Sequence, residues 1–300
     1  MSSEFSHLHE SVVPVMRASD AVRLKHLEAA RWLSYPRAQE LLAHMTYLLE
    51  HTRVDRMPNL LIVGETNSGK TQIAKRFRHL FPAVHHPDLA RTLMPVVYLQ
   101  TPAVPDEGKF YNELLDVFQA PYRPQDHSEK KRKLAFHHLE RAETRLLIID
   151  EIHNGLAGRT SANRQFMISL RYLSNSLQLP LVAVGTQAAL RAMQVDDQLS
   201  NRFEPLALPR WNNDDAWRTL IKRYEQTLPL QRPSRLHSRA TADYLHFQSE
   251  GLLGELALTL KAAARKAIQS KVECIDLSLL QELKRPPPSE RRGAAEKLLR

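Results

Sequence analysis

The residues Gly64-Glu-Thr-Asn-Ser-Gly-Lys-Thr71 place two glycines, a lysine and a hydroxyl at the spacing G-x-x-x-x-G-K-T. That spacing suits a triphosphate. Gly64 and Gly69 allow backbone angles and a closeness of approach that a Cβ obstructs, so successive N–H groups from Gly64 through Glu65, Thr66, Asn67, Ser68 and Gly69 can turn inward onto phosphate oxygens. Lys70 is placed to reach the β- and γ-phosphates, and the Thr71 hydroxyl to ligate Mg²⁺. ATP and Mg²⁺ are therefore the expected cofactors. About eighty residues later, Arg145-Leu-Leu-Ile-Ile-Asp-Glu151 ends an apolar run in two carboxylates. Asp150 is expected to hold Mg²⁺ through its water shell, and Glu151 to polarise the water that attacks the γ-phosphate. An apolar run followed by Asp-Glu is common; paired with Gly64–Thr71 it is a much stronger signal.

Lesser candidates surround these two motifs. Leu179-Pro-Leu-Val-Ala-Val-Gly-Thr186 is an apolar strand ending in a small polar residue, so Thr186 is the first choice for a γ-phosphate sensor and Gln187 the second. The alternative for Thr186 is a helix cap. Arg202 precedes a short strand, Pro205 to Leu208, where an arginine can project as a finger into a neighbouring subunit. Arg191 is the runner-up, and a surface salt bridge is the simpler reading of either. Trp32, Tyr35 and Arg37 offer aromatic and cationic groups that can enclose a nucleobase; an ordinary helix junction fits their spacing equally well. His153 completes the string D-E-x-H, which RNA helicases also carry. Those enzymes need a second ATPase-like domain for which this chain has no room, so His153 is expected to cap the strand or contact a neighbour.

The elements that must position these groups alternate in type. Leu60–Val63, Pro95–Gln100, Arg145–Asp150 and Leu179–Gly185 are short apolar runs of the kind found in buried parallel strands, each followed by a helical pattern. After Pro209-Arg-Trp-Asn212 the strand pattern stops. Trp217, Leu220, Ile221, Tyr224 and Leu228 form a helical stripe, and further helices are expected near 235–248, 254–270 and 276–283. The expected divisions are an N-terminal arm and helices over 1–54, an α/β core over 55–209, an all-helical lid over 210–283 and a flexible tail over 284–300. Residues 1 to about 20 are unpatterned and expected to be an extended or mobile arm. Ser128–Arg141 is expected to be a very basic helix, usually a solvated face.

Bulk properties narrow the classes. With 300 residues, 43% of them hydrophobic, the chain can build a full α/β core and a smaller attachment. No apolar run reaches membrane-spanning length and no signal-peptide pattern opens the chain, so a cytoplasmic location is expected. One cysteine, Cys274, excludes an internal disulfide framework. A net charge of +9 favours a polyanionic partner such as nucleic acid.

Together these motifs resemble an AAA+ ATPase over roughly residues 55 to 283. More narrowly, Arg31-Trp-Leu-Ser-Tyr-Pro-Arg-Ala38, Arg56 through Thr71 and Ser249-Glu-Gly-Leu-Leu-Gly-Glu255 resemble TniB-type transposition ATPases, relatives of TnsC. The resemblance implies an α/β fold with a five-stranded parallel sheet in the order 5-1-4-3-2, a helical N-terminal segment and an all-helical C-terminal lid. It further implies a bacterial ATP-dependent regulator that assembles on double-stranded DNA as a ring or filament. Its partners would be a DDE-type transposase and a target-selection adaptor. Lys109, Arg123 and Arg159 are then the candidates for gripping DNA phosphates. Gly254–Ala257 lacks the arginine that many AAA+ proteins place at the start of the third lid helix, which implies slow or partner-dependent hydrolysis. The rivals are a helicase-loader-like ATPase and an interaction module that binds nucleotide without hydrolysing it.

Overall fold

A computed structural model of the chain describes residues 5–29, 31–89, 91–156, 160–194 and 201–298. Two compact units emerge, one of residues 36–209 and one joining 1–35 to 210–300. This corrects the expected division of the N-terminal segment. Residues 1–35 and α3 (Pro36–Glu50) do not form a body together; α3 belongs with the α/β core. Among the described residues no helix is long and apolar enough to cross a membrane.

In the α/β unit, β1 (Asn59–Gly64) leads through a loop to α4 (Lys70–Leu80), and β2 (Val84–His86) pairs antiparallel with β3 (Arg91–Leu93). Then follow β4 (Val96–Gln100), α5 (Glu107–Val117), α6 (Ser128–Arg141), β5 (Leu146–Asp150) and α7 (Ile152–Gly155). The unit ends with α8 (Thr160–Leu177), β6 (Leu181–Gly185), α9 (Gln187–Gln194) and β7 (Phe203–Leu208). Five strands form one parallel sheet in the order β4-β5-β6-β1-β7. Counting only these strands along the chain gives 5-1-4-3-2, the expected order. β5 and β6 are buried at every residue because helices cover both faces, which is why their sequences are continuous aliphatic runs rather than alternating ones. The Asn59 side-chain carbonyl accepts the Leu181 N–H at 2.8 Å, tying the start of β1 to the start of β6. The β2–β3 hairpin was not legible in the sequence: its residues are mostly exposed or half-buried and carry no hydrophobic alternation.

α6 spans the predicted residues, yet several of its cations are committed locally. Lys130 pairs with Asp126 and Lys133 with Glu129, the buried Lys131 donates to the Pro124 carbonyl at 2.9 Å, and Arg132 lies over the Tyr172 ring.

The second unit is helical. α1 (Val13–Met16) and α2 (Asp20–Glu28) join helices Asp215–Glu225, Arg239–Ser249, Leu253–Gln269, Leu277–Glu282 and Pro288–Leu298. Two expectations are corrected. The first residues described are not an extended arm, because Leu8, Val12 and Met16 close a small apolar cluster with Phe5 and Val13. Neither is the tail from Lys284 extended. It forms a helix whose start is fixed by the Ser289 N–H on Glu250 at 2.8 Å and by Arg285 and Arg291 on the buried carboxylate of Glu255. The N-terminal residues are anchored by Arg23, which is buried. It donates to the Pro229 carbonyl at 2.7 and 3.1 Å and to Glu273 Oε1 at 2.8 Å. Trp217 is a large, fully buried side chain of this unit, its indole N–H donating to the Ala242 carbonyl at 3.1 Å.

Candidate nucleotide-binding site

The loop Gly64–Thr71 runs from the carboxyl end of β1 into α4. Gly69 has φ +102°, a backbone conformation open to glycine at little cost, and it turns the chain so that α4 begins at Lys70. A Cβ on Gly64 would stand 2.7 Å from the Leu208 carbonyl oxygen and 2.8 Å from Ser68 Oγ, so the loop closes against the end of β7 only without a side chain there. Asn67 also takes positive φ, at 65°. The Ser68 N–H donates to the Glu65 carbonyl at 3.2 Å, and Gln72 and Ile73 N–H groups return to the Gly69 carbonyl at 3.0 and 3.2 Å.

Lys70 is buried and its ammonium donates to the Glu65 carbonyl at 2.7 Å, so it is turned over the loop rather than out to solvent. Burial pushes its pKa down, and the carboxylates of Glu151, Asp150 and Glu65 act against that shift. The Ser68 hydroxyl is buried with no hydrogen-bond partner. A buried polar atom in that condition is costly, and a phosphate oxygen is the kind of group that would relieve it. Together with the positive end of an eleven-residue helix, these features make a cradle for an anion.

Register brings the acids to the same end of the sheet. β6 pairs with both β1 and β5, so the strand ending at Thr186 lies between the loop strand and the acid strand. Asp150 is 2% exposed; its carboxylate accepts the Tyr98 hydroxyl at 2.8 Å on one oxygen and the Glu151 N–H at 2.8 Å on the other. Burial and the neighbouring Asp150 charge push the Tyr98 hydroxyl well above its ordinary range, so it stays a donor. Arg78 and Lys75 of α4 lie over its ring at 5.6 and 5.9 Å. Glu151 holds a left-handed backbone, φ 54° and ψ 37°, uncommon for a residue with a side chain. His153 contacts a neighbour, its Nε2 lying 3.1 Å from Glu151 Oε2. The hard oxygens of Asp150 and Thr71 suit Mg²⁺.

Sequence reasoning missed Tyr98. It occupies the position opposite Ile148 in β4, two before Gln100, which stands opposite Asp150; a lone hydroxyl in an aliphatic strand was the available signal. Thr101 was missed too. Its hydroxyl and N–H both donate to the Asp150 carbonyl, at 2.9 and 2.8 Å, which steadies the strand end.

The remaining candidates are placed as follows. Thr186 is half-buried at the end of β6, and its carbonyl accepts the Ala189 N–H at 2.9 Å in the first turn of α9. Gln187 is exposed and accepts from Arg191 at 3.2 Å. Arg202 donates to Asn175 Oδ1 at 2.8 Å; burial, Arg56 and Arg171 push its pKa down, so three guanidinium groups gather there. It precedes β7 at the end of the sheet where Asn59 pairs with Phe203, whereas the phosphate loop leaves from the end where Gly64 pairs with Leu208. Tyr35 is buried with its ring edge-on to Trp211, centroids 5.1 Å apart, and Trp32 is half-buried. Both belong to the helical unit. Arg37 belongs to the α/β unit, where it donates to the Ala207 carbonyl at 2.9 Å and to Glu40. Lys109 and Arg123 are exposed, and Arg159 lies outside the described residues. A Cβ on Gly108 would come within 3.2 Å of Ser128 Oγ, which sets the start of α5, with Lys109, beside the basic start of α6.

A profile of the family described as Bacterial TniB protein matches residues 23–213. No curated protein matches the chain. Among solved structures, the ORC2 protein of Aeropyrum pernix, in ADPNP–ADP complexes, is 15% identical with a TM-score of 0.63, over 87% of this chain and 70% of that one. The Drosophila ORC bound to DNA is 13% identical with a TM-score of 0.60, over 88% and 66%. Domain III of the Thermotoga maritima replication initiator DnaA is 14% identical with a TM-score of 0.53, over 86% and 92%. At such identities the likeness is one of fold.

Proposed function

This chain belongs to the bacterial TniB family and has the fold of AAA+ ATPases, and from that premise we propose that it is an ATP-dependent regulator of DNA transposition. It assembles on double-stranded target DNA and recruits or activates a partner transposase of the DDE type, with a target-selection adaptor, in the bacterial cytoplasm and on the nucleoid. One observation carries the nucleotide part of this reading: the buried Lys70 and the unpartnered Ser68 hydroxyl sit in a loop whose lysine lies in the field of Asp150 and Glu151.

The backbone N–H groups of Gly64–Thr71 and the Lys70 ammonium bind the triphosphate of ATP. Thr71 and Asp150 hold Mg²⁺, which neutralises charge on the phosphates when bound. Glu151 accepts a proton from the attacking water and orients it. Thr186, at the strand end between loop and acids, reads the γ-phosphate, and Arg37, in the same unit as the loop, supplies a contact for the base. Arg202 cannot serve its own loop. β1 separates the two ends of the sheet by about 16 Å at ~3.3 Å per residue, so Arg202 acts in trans on the nucleotide of the next copy. ATP thus favours the assembled ring or filament, because a ligand bound preferentially by one state shifts the equilibrium toward it. Duplex DNA is gripped through phosphates by exposed cations, with Lys109, Arg123 and Arg159 as candidates; the net charge of +9 supports this, as do the DNA-bound relatives of the fold.

Resemblance in fold to replication initiators favours one second reading, a helicase-loader-like ATPase acting on single strands. Electron microscopy of the protein with duplex or single-stranded DNA, with and without a nonhydrolysable ATP analogue, separates them. The proposed function requires nucleotide-dependent assemblies on duplex. Duplex binding by Lys70→Ala that matches wild type without ATP would overturn the coupling.

A further inference from the structure

Glu151 is the only group in the proposed mechanism whose carboxylate must stay free of the cations around it, and its surroundings work against that. The Lys70 ammonium lies in its electrostatic field, and a direct Lys70–Glu151 ion pair would take both groups out of the reaction. A left-handed backbone aims the Glu151 side chain but leaves its carboxylate free to rotate. His153 supplies a restraint. Its Nε2 is 3.1 Å from Glu151 Oε2, and its other ring nitrogen, Nδ1, is buried with no hydrogen-bond partner. A proton on Nδ1 would be a buried donor without an acceptor, so these surroundings assign the ring proton to Nε2, where it donates to Glu151.

We propose that His153 is a positioning residue for hydrolysis: its Nε2–H holds one oxygen of Glu151, keeps the carboxylate away from Lys70 and leaves the second oxygen to accept from water. This rests on the reading of Glu151 as the base that orients water. The imidazole is suited to the task because α7, which carries it, begins at the residue after Glu151, so donor and acceptor belong to one short rigid turn. The Asn154 N–H donates to the Glu151 carbonyl at 2.9 Å and closes that turn.

The test is a kinetic split with rescue, on the full chain with Mg-ATP and duplex DNA. His153→Ala is expected to lower kcat by about 10- to 100-fold, the range over which removing an outer partner of a reacting group acts, while ATP affinity by calorimetry stays within about twofold of wild type. His153→Gln, whose amide N–H can reach the same oxygen, is expected to recover part of the rate. In a Glu151→Gln background the His153→Ala change is expected to have no further effect, because its acceptor's role has already gone. Unchanged or faster turnover in His153→Ala overturns the inference, as does a rate loss matched by lost ATP affinity or a full additional loss in the double variant. Wild-type protein that releases no phosphate with or without DNA would overturn the hydrolysis reading itself, an outcome distinct from those.

Discussion

At the scale of single residues, the site is a contest between burial and charge. Lys70 is held in a desolvated position that lowers its pKa, and the nearby carboxylates keep its charged form favourable. Replacing it with alanine is expected to remove Mg-ATP binding in a calorimeter. Glu151→Gln is expected to keep ATP affinity while hydrolysis falls by about 10²–10⁴-fold, the range of general-base catalysis, and to accumulate on DNA in a filter or mobility assay. A variant that bound ATP but no DNA would break the proposed cycle. Tyr98→Phe removes one of the donors on Asp150 and nothing else from the fold's core. Weakened Mg²⁺ affinity with an unchanged melting temperature is the expected signature, read as a raised Mg²⁺ concentration for half-maximal phosphate release.

Caps and packing decide matters at the scale of elements. Asp106, Asp214 and Asp276 each accept a backbone N–H at the start of their helices, from Lys109, Trp217 and Leu279 at 2.7, 3.0 and 2.8 Å. Asp276→Ala is expected to cost about 1 kcal/mol in urea denaturation. The Leu279 N–H, first among the causes, holds the Asp276 carboxyl below the usual carboxylate range. A group depressed on folding contributes stability that is present above its unfolded value near ~3.9 and is lost as pH falls through the folded value. Wild type and Asp276→Ala should therefore converge in stability in acid, and a gap that persisted at the lowest pH would exclude this origin. Helix boundaries at Ser128 and Arg141 were legible because charge pattern and flanking loop composition agree there. The β2–β3 hairpin, α7 and the terminal helix Pro288–Leu298 were not legible. Their residues lack a periodic apolar stripe, and the last helix is held by residues elsewhere in the chain, Glu250 and Glu255.

For the whole molecule, two features depend on residues far apart in sequence. Arg23 and Glu273 form a buried ion pair across 250 positions. Arg23→Ala should destabilise the helical unit by about 3–5 kcal/mol by stranding the buried carboxylate, while joint replacement of both residues by Met and Leu should recover most of the loss in a denaturation series. Arg202 is held by Asn175 at the sheet end opposite the phosphate loop, a placement that makes assembly a condition of catalysis in the proposed mechanism. A mixture of Lys70→Ala and Arg202→Ala proteins should then regain phosphate release that neither has alone, since some interfaces combine an intact loop with an intact arginine. No gain on mixing would exclude a trans role for Arg202.

Taken by itself, the sequence determined the strand–loop–helix that can cradle phosphate, the aliphatic strand that ends in Asp150 and Glu151, and the division between an α/β part and a helical part near residue 209. These are local properties, written in glycine spacing, apolar runs and helical periodicity. Tertiary structure alone decided that residues 1–35 join the C-terminal helices, that Tyr98 serves Asp150 and that the tail is a helix. Each depends on a partner that parallel pairing or a buried charge brings close from a distance along the chain, and no local pattern encodes which partner that will be.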